Sequence, residues 1–183
     1  MTPVGHTLTG LAIGIASIPK GWFPKKRMRH LLIFIFLANV PDIPLPYWGH
    51  DQYRISHSVF VNFLLFGLVG FILWKQIRRF YFPVSVRSVL LFFWVAWFSH
   101  FLLDSFYNHG LGVMIWWPFS DDSLRLPIAW FSVQNETWFP ISKKTLMIWG
   151  VEAISYLPFV MLAVCIQRCK SGNWFPWRRK EEP

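Results

Sequence analysis

A chain of 183 residues that is 54% hydrophobic and 20% aromatic, with 12 Trp and 19 Phe, has more apolar surface than a soluble domain of this size can hide. Only 15% of its residues are charged, against about 25% in soluble domains, and lipid tolerates apolar side chains on the outside. The net charge of +9 does not mark a nucleic-acid binder, because the basic residues sit in short clusters between long apolar runs rather than in a stripe on a polar fold.

The first apolar segment runs from His6 to Ile18 and stops at Pro19. No basic stretch precedes it and no small-residue cleavage site follows, so no cleavable signal peptide is expected. The second runs from Leu31 to Val40 and ends at Pro41; the third covers Ser58 to Trp74, the fourth Ser88 to Leu103, and the fifth Leu146 to Ile166. Runs of this length rich in Leu, Phe and Ile predict helices, because barrel strands would alternate apolar with polar. The last three approach the roughly 20 residues that cross about 30 Å of hydrocarbon. The first two are short, and are expected to span only with flanking residues or to lie partly re-entrant. Pro158 predicts a kink in the fifth. Cys165 and Cys169, four apart near the basic end of that helix, form neither a zinc finger nor a disulfide framework and read as thiols without function. The expected fold is all-α: a polytopic integral membrane bundle of about five helices, with residues 1–170 as one transmembrane domain and 171–183 as a basic tail.

Charge then orients the bundle. With five alternating spans, loops 20–30 and 75–87 and the tail from Arg168 hold 14 of the 18 Lys and Arg. The positive-inside rule makes that side cytoplasmic, the C-terminus included, and places loops 41–56 and 105–144 outside, in the periplasm of a bacterium. The acids show the opposite bias: Asp42, Asp51, Asp104, Asp121, Asp122, Glu136 and Glu152 lie at or near the outer face. Acid counts do not set topology, so this enrichment needs another cause.

His6 opens the first segment, Asp42 closes the second, His57 opens the third, and His100 and Asp104 lie near the end of the fourth. Alternation brings all these ends to one face. His100 and Asp104, at i and i+4, project from one side of their helix and can share a metal or form a ligand and its orienting partner; a plain His–Asp hydrogen bond is the alternative. Singly, the others have ordinary readings: His6 as an interfacial polar residue, Asp42 as a turn residue after Pro41, His57 as part of a helix cap. Gly10, one turn after His6, allows a helix or ligand to approach the backbone. Arg54, Ser56 and Ser58 around His57 suit an oxyanion. Glu152, two turns into the fifth segment, needs a partner: a metal, a proton, or a cation such as Lys143 or Arg54. His50, Asp51 and His109 read as solvated loop residues, Asp121 and Asp122 as a solvated turn, and Trp116 and Trp117 as interfacial anchors.

In this order the motifs resemble a prokaryotic family of inner-membrane, metal-dependent hydrolases, the YdjM-like LexA-binding family. Its histidine with a glycine four residues on is matched by His6 and Gly10. Its Pro-Asp-x-Asp after an apolar run is matched by Pro41 and Asp42, but Pro44 stands at the second acidic position. Its His-Arg-x-x-His-Ser is matched by Arg54, His57 and Ser58, with Tyr53 in place of the first histidine. Its His-x-x-x-Asp, followed by a glycine and a Trp-Pro-Phe turn, is matched by His100, Asp104, Gly110 and Trp117-Pro118-Phe119. The likeness covers roughly residues 6–120. It implies a site for a divalent metal, zinc first, with His6, Asp42, His57, His100 and Asp104 as ligands. Tyr53 and Pro44 point to one ion rather than two, or to a site without catalysis.

The function expected is hydrolysis of an ester or phosphoester, of a lipid-like or other amphiphilic substrate, at the periplasmic face. Arg54 would steady an anionic group, and Asp104 or Glu152 would take the proton. The rivals are a metal or proton transporter using the same groups as a relay, and a non-catalytic membrane protein with a degenerate site.

Overall fold

The computed structural model of the chain describes residues 3–43, 45–48, 53–106, 113–124 and 141–171. Pro44, His50, Asp51, His109, Gly110, Arg125, Glu136 and the basic tail beyond Ser171 lie outside the described residues.

Helix α1 (Pro3–Ala16) ends where Ser17 Oγ turns back onto the Ile13 and Gly14 carbonyls, at 2.8 and 3.1 Å. Gly21, at φ +79°, makes the turn that follows. Helix α2 (Pro24–Asn39) starts on a proline, which costs nothing at a position whose N–H has no intrahelical acceptor. It stops because Pro41 has no N–H and its ring would meet the carbonyl one turn back, and the chain tightens into a 3-10 turn over Val40–Asp42. After a single helical turn, α3 (Tyr53–Ser56), comes α4 (Val59–Ile72), capped by Ser58, whose Oγ accepts the Val61 N–H at 3.3 Å.

Helix α4 does not run straight to Trp74 as expected from sequence. It bends by 67° at Leu73 into α5 (Trp74–Tyr81). Lys75, Arg78 and Arg79 cannot follow it into hydrocarbon, while Ile77 and Tyr81, four apart, keep one face of α5 buried against the bundle. Helix α6 (Val86–Ser105) is 20 residues long, and α7 (Lys143–Ser171) is 29, with Pro158 inside it. Among the described residues α6 and α7 are long and apolar enough to cross a bilayer, and α4 with α5 makes a third if taken as one broken span.

All five expected apolar segments are thus helical, as α1, α2, α4, α6 and α7, and the chain is a helical membrane protein. Its side chains are apolar both inside and out. The interior is filled by Phe34, Ala38, Phe93, Ala96 and Trp97, at the contact of α2 and α6. Leu64, Phe71, Ile154 and Met161 face outward, where lipid would be. Helix α7 buries Thr145, Glu152, Tyr156 and Ala163, spaced seven, four and seven apart, and this stripe packs chiefly on α1. The α1–α2 contact is closest at Gly10: a Cβ there would lie 2.6 Å from the Phe34 carbonyl oxygen and 2.9 Å from Ala38 Cβ. Only hydrogen at this position lets the two backbones touch.

Candidate metal centre

Three histidines and two aspartates meet at one end of the bundle, each delivered by a helix terminus. α1 supplies His6, the 3-10 turn after α2 supplies Asp42, the α3–α4 junction supplies His57, and the last turns of α6 supply His100 and Asp104. All three imidazoles are 0% exposed, Asp104 is 2%, and only Asp42, with its side chain 10% exposed, reaches the surface.

His57 Nε2 lies 3.3 Å from Asp42 Oδ1 and 3.3 Å from Asp104 Oδ2. His100 Nε2 lies 3.6 Å from Asp42 Oδ1, 3.3 Å from Asp104 Oδ2 and 3.3 Å from His57 Nε2. Ligand atoms from Asp42, His57, His100 and Asp104 are all within 4.8 Å of one another. His6 stands directly beside these four: its Nε2 is 3.2 Å from Asp104 Oδ1 and 3.9 Å from Asp42 Oδ2, and its ring stacks on His100 at 3.8 Å.

These separations fit a shared cation. Donors that each sit about 2.0–2.2 Å from one ion are roughly 3–3.5 Å from their neighbours. The tautomers fit too. His100 Nδ1 is 3.0 Å from the Ala38 carbonyl, which can only accept, so Nδ1 carries the proton. Its Nε2 then faces two carboxylates, an arrangement that needs positive charge between them, supplied by a proton on Nε2 or by a bound cation. Burial pushes the Asp42 carboxyl up, but His100 and His57 outweigh burial and hold it well below the ordinary carboxylate range, with Asp104 opposing them. The group of Asp and His residues can bind a metal ion.

The supports of the site are local. His57 Nδ1 meets Ser56 Oγ at 2.8 Å. Asn62 Nδ2 donates to the Ser56 and Ser58 carbonyls at 2.7 and 2.8 Å, and its Oδ1 accepts from Trp97 Nε1 at 2.9 Å. The Trp-Pro-Phe turn closes over the same junction: Val59 N–H donates to the Ile115 carbonyl at 3.0 Å, and Ser58 Oγ donates to Trp117. Asn62 went unread in the sequence, although a lone amide in an apolar helix one turn after Ser58 was a signal.

The other candidates fall as follows. Tyr53 stacks on His57 at 3.9 Å and 22°. Burial first, then the Asp104 and Asp42 carboxylates, push its phenol above its usual value. Arg54 is 61% exposed and pairs with Asp121 at 3.5 Å, so Asp121 has a partner beyond solvent. Glu152 is fully buried and its Oε2 accepts the Gly5 N–H at 3.1 Å, which seats the carboxylate on the first turn of α1, next to His6. Cys165 and Cys169 are exposed and form no disulfide.

A further buried histidine, His30, carries no motif in the sequence. At the opposite end of the bundle, buried His30 donates from Nε2 to the Gly14 carbonyl at 2.9 Å and accepts at Nδ1 from the Tyr81 hydroxyl at 3.0 Å. Both nitrogens are satisfied, so it is a cross-link between α1, α2 and α5.

The family described as YdjM inner membrane protein matches residues 1–174 of the chain. Inner membrane protein YbcI of Escherichia coli (strain K12) is 33% identical over 129 residues, covering 69% of this chain and 72% of that protein. No solved structure matches.

Proposed function

This chain belongs to the YdjM inner membrane protein family and is a protein of the bacterial inner membrane, and from that premise we propose that it is a metal-dependent hydrolase acting on an ester or phosphoester at the periplasmic face. The observation that carries the proposal is the convergence of three imidazole Nε2 atoms and two carboxylates, from four separate chain segments, in a site buried on every side but that of Asp42.

His57, His100, Asp42 and Asp104 would hold one divalent ion, zinc first, because mixed nitrogen and oxygen donors suit it, and His6 completes the set from the Asp104 side. Such an ion supplies charge that polarises a scissile bond and acidifies water. The chain's own groups do the rest. Substrate enters past Asp42. Arg54, on the turn before His57, exchanges Asp121 for the substrate's anionic group. Asp104 would take the proton on whichever of its two oxygens the ion leaves free. Glu152 orients His6 through the start of α1, and this reading moves it from proton acceptor to positioning residue.

The orientation is part of the proposal. Lys20 to Arg29, Lys75 to Arg87 and Arg168 lie at the end opposite the cluster, and Gln167 and Lys170 of α7 bond the Ile18 and Ala16 carbonyls there. The positive-inside rule makes that end, with the C-terminus, cytoplasmic. A relay of ions or protons through the bundle is disfavoured by the layer between the His/Asp cluster and His30, where Gly10 abuts Phe34 and Phe34 packs on Phe93.

Metal analysis of detergent-purified protein tests the site: about one equivalent in wild type and a large loss in His100→Ala are expected. Equal content in both would overturn it. Turnover of a phosphoester and ester panel, abolished in His57→Ala and Asp104→Ala, tests the chemistry.

A further inference from the structure

A groove of about 800 Å³ runs down the outside of the bundle between α2, α4, α5 and α6. Its upper lip is Val40, Ile43 and Trp48, the residues flanking Asp42, and its floor at the far end is Phe80 and Tyr81 of α5. On α4 its wall runs from Leu65 to Leu73, on the order of 12 Å of helix. Asp42 does not itself line the groove, but Val40 and Ile43 on either side of it do, so the groove begins near the exposed edge of the cluster and descends through the depth that lipid tails occupy.

The lining makes almost no polar demand. Trp48 Nε1 donates to the Val40 carbonyl at 2.8 Å, Trp97 Nε1 to Asn62 Oδ1 at 2.9 Å, and the Tyr81 hydroxyl to His30 Nδ1 at 3.0 Å. Trp48, Trp97 and Tyr81 thus turn their polar tips into the protein, and the other lining residues with polar side-chain atoms are Gln76 and Tyr47, which is 83% exposed at the rim. The occupant is hydrocarbon. A helix is too thick: with side chains it is about 10–12 Å across, so three turns need on the order of 1,200 Å³ or more. One acyl chain is narrow enough.

We infer that this groove is the acyl-chain site of the enzyme, and that the substrate is a membrane lipid whose tail lies in the groove while its head reaches Asp42. The head-group half of this inference rests on the hydrolase reading; the tail half does not.

Gly70 provides the test. It lines the groove, and a Cβ there would meet only Leu90 Cδ2, at 3.7 Å, so a side chain grows into open space without breaking a helix contact. Gly67, one turn earlier with nothing within 4 Å, is outside the lining and serves as the matched control. The full-length protein is reconstituted in phosphatidylethanolamine–phosphatidylglycerol vesicles containing a phosphatidylglycerol with a photoreactive diazirine in its palmitoyl chain, and labelled residues are mapped by mass spectrometry. Label is expected to concentrate on Phe93, Trp97 and the Leu65–Val69 stretch over lipid-facing Ile154 and Met161. Gly70→Phe fills part of the groove and should sharply lower that labelling by excluding the chain, while Gly67→Phe leaves it unchanged. Even labelling of all lipid-facing residues, labelling indifferent to Gly70→Phe, or cross-linked dimers in place of lipid adducts would each overturn the groove. Activity is a second arm: Gly70→Phe should impair hydrolysis of 4-nitrophenyl palmitate and spare 4-nitrophenyl acetate. Equal loss on both esters would overturn the assignment of the tail to the groove. Groove labelling in a protein that holds no metal would sink the hydrolase reading and leave the tail site standing.

Discussion

Replacing Gly10 by Ala adds one methyl group at the tightest glycine contact among the described residues. The new Cβ would sit 2.6 Å from the Phe34 carbonyl oxygen, 2.9 Å from Ala38 Cβ and 3.1 Å from Ile35 Cα, and the first and third of these are backbone atoms that cannot rotate away. Reaching an ordinary 3.4 Å contact requires α1 to retreat from α2 by roughly 0.8 Å. Overpacking of this kind costs about 1–3 kcal/mol, and the better helix propensity of Ala returns up to about 1. At about 2–4 °C per kcal/mol, the net loss of about 1–2 kcal/mol lowers the melting temperature by about 2–8 °C. His6 is one turn away on the same helix, and its 3.2 Å contact with Asp104 would open to about 4 Å, beyond hydrogen-bond range. Metal affinity should then fall about 10- to 100-fold, as when an orienting partner is lost. Thermal melts and metal titration of detergent-purified protein check both effects, with Gly67→Ala, where a Cβ meets nothing within 4 Å, as the control. A Gly10→Ala protein that melts with the control and binds metal like wild type would refute the reasoning.

Three further outcomes follow from the same contacts. Trp97→Phe keeps a ring in the core but strips the donor from buried Asn62 Oδ1, at a cost of about 1–3 kcal/mol read as a lower melting temperature. Glu152→Ala leaves the Gly5 N–H without its acceptor and should destabilise by about 1–3 kcal/mol, whereas Glu152→Gln keeps an oxygen there and loses only the charge at the start of α1, about 0.3–1 kcal/mol; equal melts for the two variants would contradict a positioning role. Chelation should lower the melting temperature of wild type and added zinc should restore it, by about 2.7 kcal/mol at a hundredfold excess over Kd, with no response in His57→Ala.

Much of the site was legible because it consists of the wrong residues for their place. His6, His57, His100 and Asp104 interrupt or terminate apolar runs, and an ionisable group there is costly unless partnered. Their meeting at one depth follows from helices that begin and end on common faces. Asn62 and His30 were just as anomalous, but each pairs with backbone carbonyls, of Ser56, Ser58 and Gly14, and with one distant side chain, Trp97 or Tyr81, that nothing local in the sequence links to it. Glu152 was visible as a buried carboxylate in need of a partner, yet its acceptor role lies with an amide 147 residues away.

The order of apolar runs and breaks determined by itself that the chain is helical and membrane-embedded, because the cost of exposing backbone to lipid leaves few other choices. Period and composition act locally, through each residue's own hydration and the prolines that stop a turn, and so survive reading one segment at a time. The bend at Leu73, the stacking of Tyr53 on His57 and the groove below Asp42 belong to no single segment. They were decided only when α1 closed onto α2 at Gly10 and α6 filled the space beside them, since packing depends on which surfaces meet.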